Sequence, residues 1–319
     1  TLVGRCPFHR DLGRPNLTIF PESQSWFCFR CGAGGDVINF IQRIEGLSFR
    51  RAIARLADTE PSAAHQIGSP IALMHVTKPL TLDLAQRACL TAAIELYHRR
   101  LLREPPALAY LDERGIDRAT ATRCRVGFAA GNELAHCLRR RGLSIDAAIR
   151  IGLLRRDGRD FLAGRIVVPE LRAGQPIWLI GRALSSSLNR PKYLALPGPK
   201  PLLGLGVLGD SQSVWLCEGV FDWLTLRSWN YPAVALNGTH MRTDILRSLD
   251  RFARIYLVFD NDGAGHHAIQ TLLLRFGDRA CPIALPGVKD VADLAPLPDG
   301  RARFARAVAA SKVLLDRAA

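Results

Sequence analysis

Two apolar runs decide the fold: Val214-Trp-Leu-Cys-Glu-Gly219 and Ile255-Tyr-Leu-Val-Phe-Asp-Asn-Asp-Gly-Ala-Gly265. Each reads as a short buried strand that delivers carboxylates at its end, Glu218 from the first and Asp260 and Asp262 from the second. Between and after them lie FDWLTLRSW, AVALNG, a helical pattern near Thr243 to Arg251, and AGHHAIQTLLLRF. Strand alternating with helix predicts a parallel sheet flanked by helices. In such a sheet the carboxyl ends of the strands line the ligand crevice, so acids placed there face a ligand rather than the core. Glu218, Asp260 and Asp262 are therefore candidate ligands for Mg²⁺, a hard cation that takes carboxylate oxygens. The plainer alternative is a helix cap at Glu218 and a turn at Asp260 and Asp262, since Asp and Gly are common turn residues. His266 and His267, at a helix start, read as solvent-facing.

Outward from this stretch, composition sets limits. The chain has 319 residues, 48% of them hydrophobic, enough for two or three domains with their own cores. No apolar run of about eighteen residues and no leader peptide is present, so a soluble cytosolic protein is expected. Thr1 in place of Met reads as a trimmed chain. The formal charge is +14, with Arg far in excess of Lys, and a surface this basic points to a polyanion, nucleic acid first. A solvated basic surface from an Arg-rich proteome is the alternative. Eight cysteines in this length do not make a secreted disulfide framework. Three of them cluster, and Cys89, Cys124, Cys137, Cys217 and Cys281 are scattered and expected to be reduced.

The cluster is at the amino terminus. Cys6-Pro-Phe-His9 and Cys28-Phe-Arg-Cys31 are two ligand pairs separated by eighteen residues, the spacing of a tetrahedral Zn²⁺ site. Leu17 to Phe20 and Ser25 to Cys28 read as strands around a turn at Pro21 to Gln24. With all four positions filled by protein, the zinc is structural and contributes on the order of 10 kcal/mol to folding the module. Asp36 is a helix cap before Val37, Phe40, Ile41 and Ile44, and a second helix from Ser48 is expected to pack Phe49, Ile53 and Leu56.

The strings CPFH, WFCFRCGAGGDVINFI and SFRRAIARLA resemble the zinc-binding domain of bacterial (DnaG-like) DNA primases. The resemblance implies that Cys6, His9, Cys28 and Cys31 hold the zinc and that the ribbon face helps choose the template site. Arg30, Arg43 and either Trp26 or Phe29 are then candidates to contact single-stranded DNA by charge and stacking. Packing in the ribbon core is the alternative for the aromatics, Phe27 and Phe29 above all.

From Thr59 to Pro79 the composition turns to Pro, Ser, Ala, His and Gly, a tether. Thr81 to Arg103 returns to helical spacing, with Leu84, Ala88, Thr91, Ile94, Leu96 and Leu101 as the expected apolar face, and stops before Pro105-Pro106. ALAYLDERGIDRATATRCRVGFAAG then gives a helix, a stop at Gly115 and a second helix from about Asp117. Its YL-x-x-RG-I string resembles the opening of the primase polymerase core. Short Arg-rich helices follow, then FLAGRIVVPEL and PIWLIGRAL as strands around a turn at Ala173-Gly174, and PKYLALPG. In primases the matching strings line a basic groove, which makes Arg165, Arg182, Lys192 and Tyr193 candidates for nucleotide or DNA contact. Arg forks fit phosphate oxygens and Lys supplies a compact charge. After Tyr193 the chain departs from the family: Asn-Ser-Pro-Glu-Thr is replaced by Ala195-Leu-Pro-Gly-Pro-Lys-Pro-Leu202, without the acid and the amide.

The opening stretch in turn resembles the Toprim fold of primases and topoisomerases. Glu218-Gly219, the acids Asp260 and Asp262, and Asp290 and Asp293 in KDVADL match its acidic set. Asp290 and Asp293 are one residue further apart than the family pattern, and helix capping explains either of them. Asp222 is implied as a group behind the metal ligands, and Gly219, Gly238 and Gly263 as points where backbone approaches phosphate. The implied chemistry is in-line attack of a 3′ hydroxyl on an α-phosphate, with Mg²⁺ or Mn²⁺ stabilising the attacking and leaving oxygens.

The expected fold is a multidomain α+β and α/β chain. Its parts are a zinc ribbon (1–58), a tether and helical linker (59–104), a basic subdomain (105–210), a Toprim subdomain (211–296) and a carboxy-terminal helix (297–319). The expected activity is that of a DNA primase, a nucleotidyltransferase making RNA primers for replication. Its implied partners are single-stranded DNA, nucleoside triphosphates, the nascent primer and a replicative helicase, with no membrane. A Toprim nuclease and a non-catalytic DNA-binding module are the alternatives. Topoisomerase is the least expected reading, since those enzymes need large gate domains around a nucleophilic Tyr and no such segment is read here. The helicase-docking domain of full-length primases has no counterpart, so the chain is expected to be truncated or a compact relative from a mobile element.

Overall fold

The computed structural model describes residues 2–9, 15–20, 25–28, 30–31, 33–47, 51–52, 55–56, 82–184, 191–238 and 241–318. It divides into two compact units, Thr1–Leu73 and Met74–Ala319. The turn at Pro21 to Gln24, the packing of Phe27, Phe29, Phe49 and Ile53, and the tether from Thr59 to Pro79 lie outside the described residues.

In the first unit, β1 (Leu2–Gly4), β2 (Leu17–Phe20), β3 (Ser25–Cys28) and β4 (Gly34–Asp36) form an antiparallel sheet in that order. Helix α1 (Val37–Glu45) follows at once. Asp36 caps it by accepting from Asn39 N at 2.8 Å, while Asn39 Oδ1 accepts from Asp36 N at 3.2 Å, a reciprocal box that fixes the helix start. Phe8, Trp26 and Phe40 pack as a trio with centroids 4.9 to 5.2 Å apart, Phe40 edge-on to the other two rings. Trp26 is 4% exposed and its indole N–H donates to the Asp36 carbonyl. This corrects the expectation that Trp26 stacks on DNA: a module this small needs its largest ring for its own core.

The second unit begins with α2 (Leu84–Leu101), started by a capping box between Asp83 and Gln86. Its buried stripe is Leu90, Ala93, Ile94, Tyr97 and Leu101, whereas Leu84 is 87% exposed. The expected face shares Ile94 and Leu101 with the buried stripe, and Leu96 packs half-buried against the same core. Nor is α2 a linker. It packs into the core at β5 (Gly127–Ala129), where a Cβ on Gly127 would stand 2.6 Å from Tyr97 Cβ, so only glycine allows the approach. Around it lie α3 (Pro105–Asp112), α4 (Arg118–Arg123), α5 (Leu134–Arg140) and α6 (Ile145–Arg150). Strands β6 (Arg165–Arg172), β7 (Gln175–Ala183) and β8 (Tyr193–Ala195) complete an antiparallel sheet in the order β5-β6-β7-β8. The β6–β7 turn falls at Ala173-Gly174, both at positive φ, as the sequence predicts.

The third sheet is parallel, in the order β10-β9-β11-β12: β9 (Ser213–Cys217), β10 (Ala233–Ala235), β11 (Arg254–Val258) and β12 (Ala280–Pro282). Helices α7 (Val220–Ser228), α8 (Thr243–Leu249), α9 (Gly263–Phe276) and α10 (Gly300–Ala318) cover it. Val214, Leu216, Ile255 and Leu257 point into the core beneath α8 and α9, and Trp215, Cys217 and Val258 into the other. That second core runs without interruption into the antiparallel sheet and α2, and α10 closes it with Phe304 against Trp215, Trp229 and Tyr231. Among the described residues, no helix is long and apolar enough to cross a membrane.

Asp160 is the anomaly of this core. It is 1% exposed beside the equally buried Tyr97 hydroxyl, and burial pushes its carboxyl up to about 6 from 3.8. The folded chain therefore holds a proton that the unfolded chain releases over that interval. Stability is fully present below about pH 4, falls as pH rises to about 6, and stays low above. Asp160→Asn is expected to raise unfolding stability by about 3 kcal/mol at pH 8 and to have little effect at pH 4. Urea denaturation at the two pH values measures the difference.

Candidate metal centre and its cationic wall

Strands β9 and β11 are neighbours, yet β10 lies on the far side of β9, so the chain order reverses between them. A crevice opens at such a switch point, beyond the carboxyl ends of the strands. Glu218 leaves β9 there and Asp260 leaves β11. A third segment, Lys289 to Asp293, is laced alongside: Asn261 N donates to the Lys289 carbonyl at 2.7 Å, and Ala292 N to Asp222 Oδ1 at 3.2 Å. Asp222, one turn into α7, also accepts from Gly219 N at 3.1 Å.

These connections bring one carboxylate oxygen each of Asp222, Asp260 and Asp290 within 4.8 Å of one another. Burial, then Asp290 and Asp260, push Asp222 up to about 8. Burial, then Asp260 and Asp262, push Glu218 up to about 7, and its Oε2 is buried with no hydrogen-bond partner. Half-buried acids that raise one another's proton affinity are held together at a cost that a cation relieves. Hard oxygen donors converging in this way fit a divalent ion of the Mg²⁺ type.

The sequence placed these acids in a different order of importance. Asp222, expected behind the ligands, stands with Asp260 in the cluster of three acids, and so does Asp290. Asp262 is exposed and its Oδ1 caps α9, accepting from Ala264 N and Gly265 N at 3.0 Å each. Asp290 also caps the turn Val291–Leu294, and Asp293 is exposed and accepts from Lys289 N. The alternative of capping thus describes Asp262, while Asp290 does both jobs. Gly265 explains how α9 starts so close: a Cβ there would lie 2.0 Å from the Asp260 carbonyl oxygen. Gly265→Ala is expected to displace Asp260, lowering stability by about 2 kcal/mol and weakening Mn²⁺ binding. Chemical denaturation and Mn²⁺ titration read the two effects.

The antiparallel sheet presents cations to this crevice. Lys192 is exposed at the start of β8. Burial and then the nearby Arg182, Lys289 and Arg114 lower its proton affinity, while Asp290 raises it, so cations and acids lie within electrostatic reach. Arg182 is 9% exposed, donates to Tyr193 Oη at 2.6 Å and to Tyr110 Oη, and lies 4.8 Å over the Phe221 ring. Arg165 is 4% exposed and donates to the carbonyls of Pro191 and Lys192 at 2.8 and 3.2 Å. Neither offers the open fork expected for phosphate. They hold Tyr193 and Lys192 in place, because a buried guanidinium must satisfy its donors within the protein.

Sequence reasoning missed four residues here. Arg114 stacks on Tyr110 and Phe221 at 4.9 and 5.2 Å. Lys200, in the stretch that departs from the family, donates to the Asn237 carbonyl at 3.0 Å. Asn237 is 7% exposed at positive φ, with no partner for either amide atom among the described residues, and precedes Gly238 at φ 143°. Lys289 pairs with Asp260 at 3.1 Å. A cation directly before Asp290 was the one signal available for it.

In the first unit Cys6, His9, Cys28 and Cys31 converge within 4.8 Å. Cys6 Sγ is 3.9 Å from Cys31 Sγ, and His9 Nε2 is 3.2 Å from Cys28 Sγ. Burial pushes the Cys6 thiol up to about 11. Burial acts the same way on Cys28, but the N–H groups of Cys31 and Arg30 and the His9 ring outweigh it and bring the thiol down to about 6. Three sulfurs and an imidazole at these distances fit zinc. Arg30 is exposed beside them.

Three family profiles match consecutive parts of the chain: the CHC2 zinc finger over residues 1–67, the N-terminal domain of the DNA primase catalytic core over 96–199, and a Toprim-like domain over 215–295. The DNA primase of Deinococcus radiodurans is 31% identical over 316 residues, which is 92% of this chain and 53% of that protein. The chain spans about half the length of the curated relatives it matches. The crystal structure of the zinc-binding and RNA polymerase domains of Aquifex aeolicus primase aligns with a TM-score of 0.64 and 26% identity, covering 97% of this chain and 78% of that one. The RNA polymerase domain of Mycobacterium tuberculosis primase, bound to a double-stranded DNA with a 6-nucleotide overhang, gives 0.62 and 25%, covering 71% and 80%.

Proposed function

From the premise that this chain belongs to the DnaG-like bacterial DNA primases, we propose that it synthesises short RNA primers on single-stranded DNA. The observation that carries this is the convergence of Asp222, Asp260 and Asp290 at the switch point, within electrostatic reach of Lys192 on the neighbouring sheet. Acids for a metal and cations for phosphates are the two needs of nucleotidyl transfer.

Asp222, Asp260 and Asp290, with Glu218 beside them, would hold Mg²⁺ or Mn²⁺. The ion supplies stabilisation of charge on the attacking and leaving oxygens. Lys192 and Lys200 meet triphosphate or template phosphates, and Arg165 and Arg182 orient Lys192 and Tyr193 for that contact. Arg30 serves the template in the zinc module. Gly238 lets backbone approach phosphate, whereas the Gly219 N–H is taken up by Asp222. The domains are those expected from the sequence, with the basic subdomain extended forward to include α2. Single-stranded DNA, nucleoside triphosphates, the nascent primer and a replicative helicase are the partners, and the cytoplasm is the place of action.

The test is synthesis of labelled oligoribonucleotides from a library of single-stranded templates with Mg²⁺ or Mn²⁺. Template-dependent products are expected. Nicking of DNA without nucleotides, or metal-independent DNA binding with no product, overturns the proposal.

A further inference from the structure

Lys289 belongs to the segment laced against the crevice, and its main chain is fixed at both ends of the residue. Its carbonyl accepts from Asn261 N at 2.7 Å and its own N–H donates to Asp293 Oδ2 at 3.3 Å. From that anchored position the side chain crosses to Asp260, Nζ to Oδ2 at 3.1 Å, while most of its length stays exposed. Asp260 is only 14% exposed and is one of the three acids whose oxygens lie within 4.8 Å. An ammonium on one oxygen of Asp260 and a divalent ion among the three acids would stand a few ångströms apart, where like charges repel. Each cation then weakens the hold of the carboxylate on the other.

We propose that Lys289 competes with the divalent ion for Asp260 and is released from it as the ion binds. The inference rests on reading the three acids as a metal centre. The anchored backbone keeps the freed ammonium at the crevice, where it joins Lys192 in facing the phosphates that arrive with the metal. Lys289 is thus a positioning residue for the ion, exchanging an acid of the protein for an anion of the substrate.

Mn²⁺ titration of the full chain, followed by the paramagnetic signal of free Mn²⁺, reads the competition directly. Lys289→Gln is expected to tighten Mn²⁺ binding by about tenfold, and Lys289→Arg to leave it within about threefold of wild type. Lys192→Gln, which removes a nearby charge not paired with Asp260, is expected to tighten binding by less than about threefold. In parallel, trace acetylation with mass-spectrometric readout is expected to label Lys289 several-fold faster at saturating Mg²⁺, with Lys312 as the internal reference. Unchanged or weaker Mn²⁺ binding in Lys289→Gln, an effect equal to that of Lys192→Gln, or labelling indifferent to Mg²⁺ overturns the proposal while the metal centre stands. Failure of the wild-type chain to bind Mn²⁺ overturns the metal centre and this proposal together.

Discussion

Asp260→Asn is expected to reduce primer synthesis by at least about a thousandfold without lowering the midpoint of thermal unfolding. The amide keeps the size of the side chain and trades repulsion from the neighbouring acids against the ion pair with Lys289, so folding changes little while the proposed metal site loses a charge. Glu218→Gln is expected to behave the same way, since its carboxylate is pushed up to about 7 and its Oε2 has no partner to lose. A structural role would predict the opposite pairing, with activity and stability falling together. The pH dependence carries the same sign. With folded values of about 7 and 8, Glu218 and Asp222 retain protons that the unfolded chain releases from about pH 4, so stability without metal falls as pH rises from there to about 8 and stays low above. A metal must displace those protons, and Mg²⁺ is therefore expected to raise the thermal midpoint more at pH 8.5 than at pH 6. Equal shifts at both values would remove the acids from the metal site.

Chelation of zinc, or Cys28→Ser, is expected to unfold the first unit outright. Among the described residues its core is three aromatic rings, Leu17 and a few small side chains. Such a core is too small to offset the conformational entropy of the chain, whereas a structural zinc contributes on the order of 10 kcal/mol. Zinc release followed by a chromogenic chelator should give one ion per chain. Circular dichroism should show the antiparallel signal of the ribbon disappearing while the second unit, with its own continuous core, keeps its transition. A chain that melts unchanged after zinc removal would contradict this.

Both predictions rest on features legible in the sequence, for physical reasons that are local. A zinc knuckle needs its ligands at fixed spacing along the chain, so Cys6, His9, Cys28 and Cys31 could be read directly. A buried parallel strand must be apolar to its end, so the acids after Val214 to Cys217 and after Ile255 to Phe259 stood out. What could not be read depends on partners distant in sequence. Asp222 enters the centre because Gly219 and Ala292 both donate to it, and residue 292 is seventy positions away. Arg165 and Arg182 looked like phosphate forks until Pro191, Lys192, Tyr193 and Tyr110 took up their donors. The buried face of α2 was misjudged because what it packs against, the bare backbone at Gly127, has no hydrophobic signature.

Phe304 has no exposed surface, and it rests on Trp215 while lying almost ninety residues later in the chain. Translation is vectorial, so strands β9 and β11 leave the ribosome well before the helix that covers one of their faces. During that interval Trp215, which stacks at 4.2 Å on Tyr256, is an aromatic surface without its cover. The parallel sheet reaches its finished form only when α10 has been made, and a ribosome stalled before Phe304 carries a nascent chain whose acids are all synthesised but whose scaffold is not yet closed.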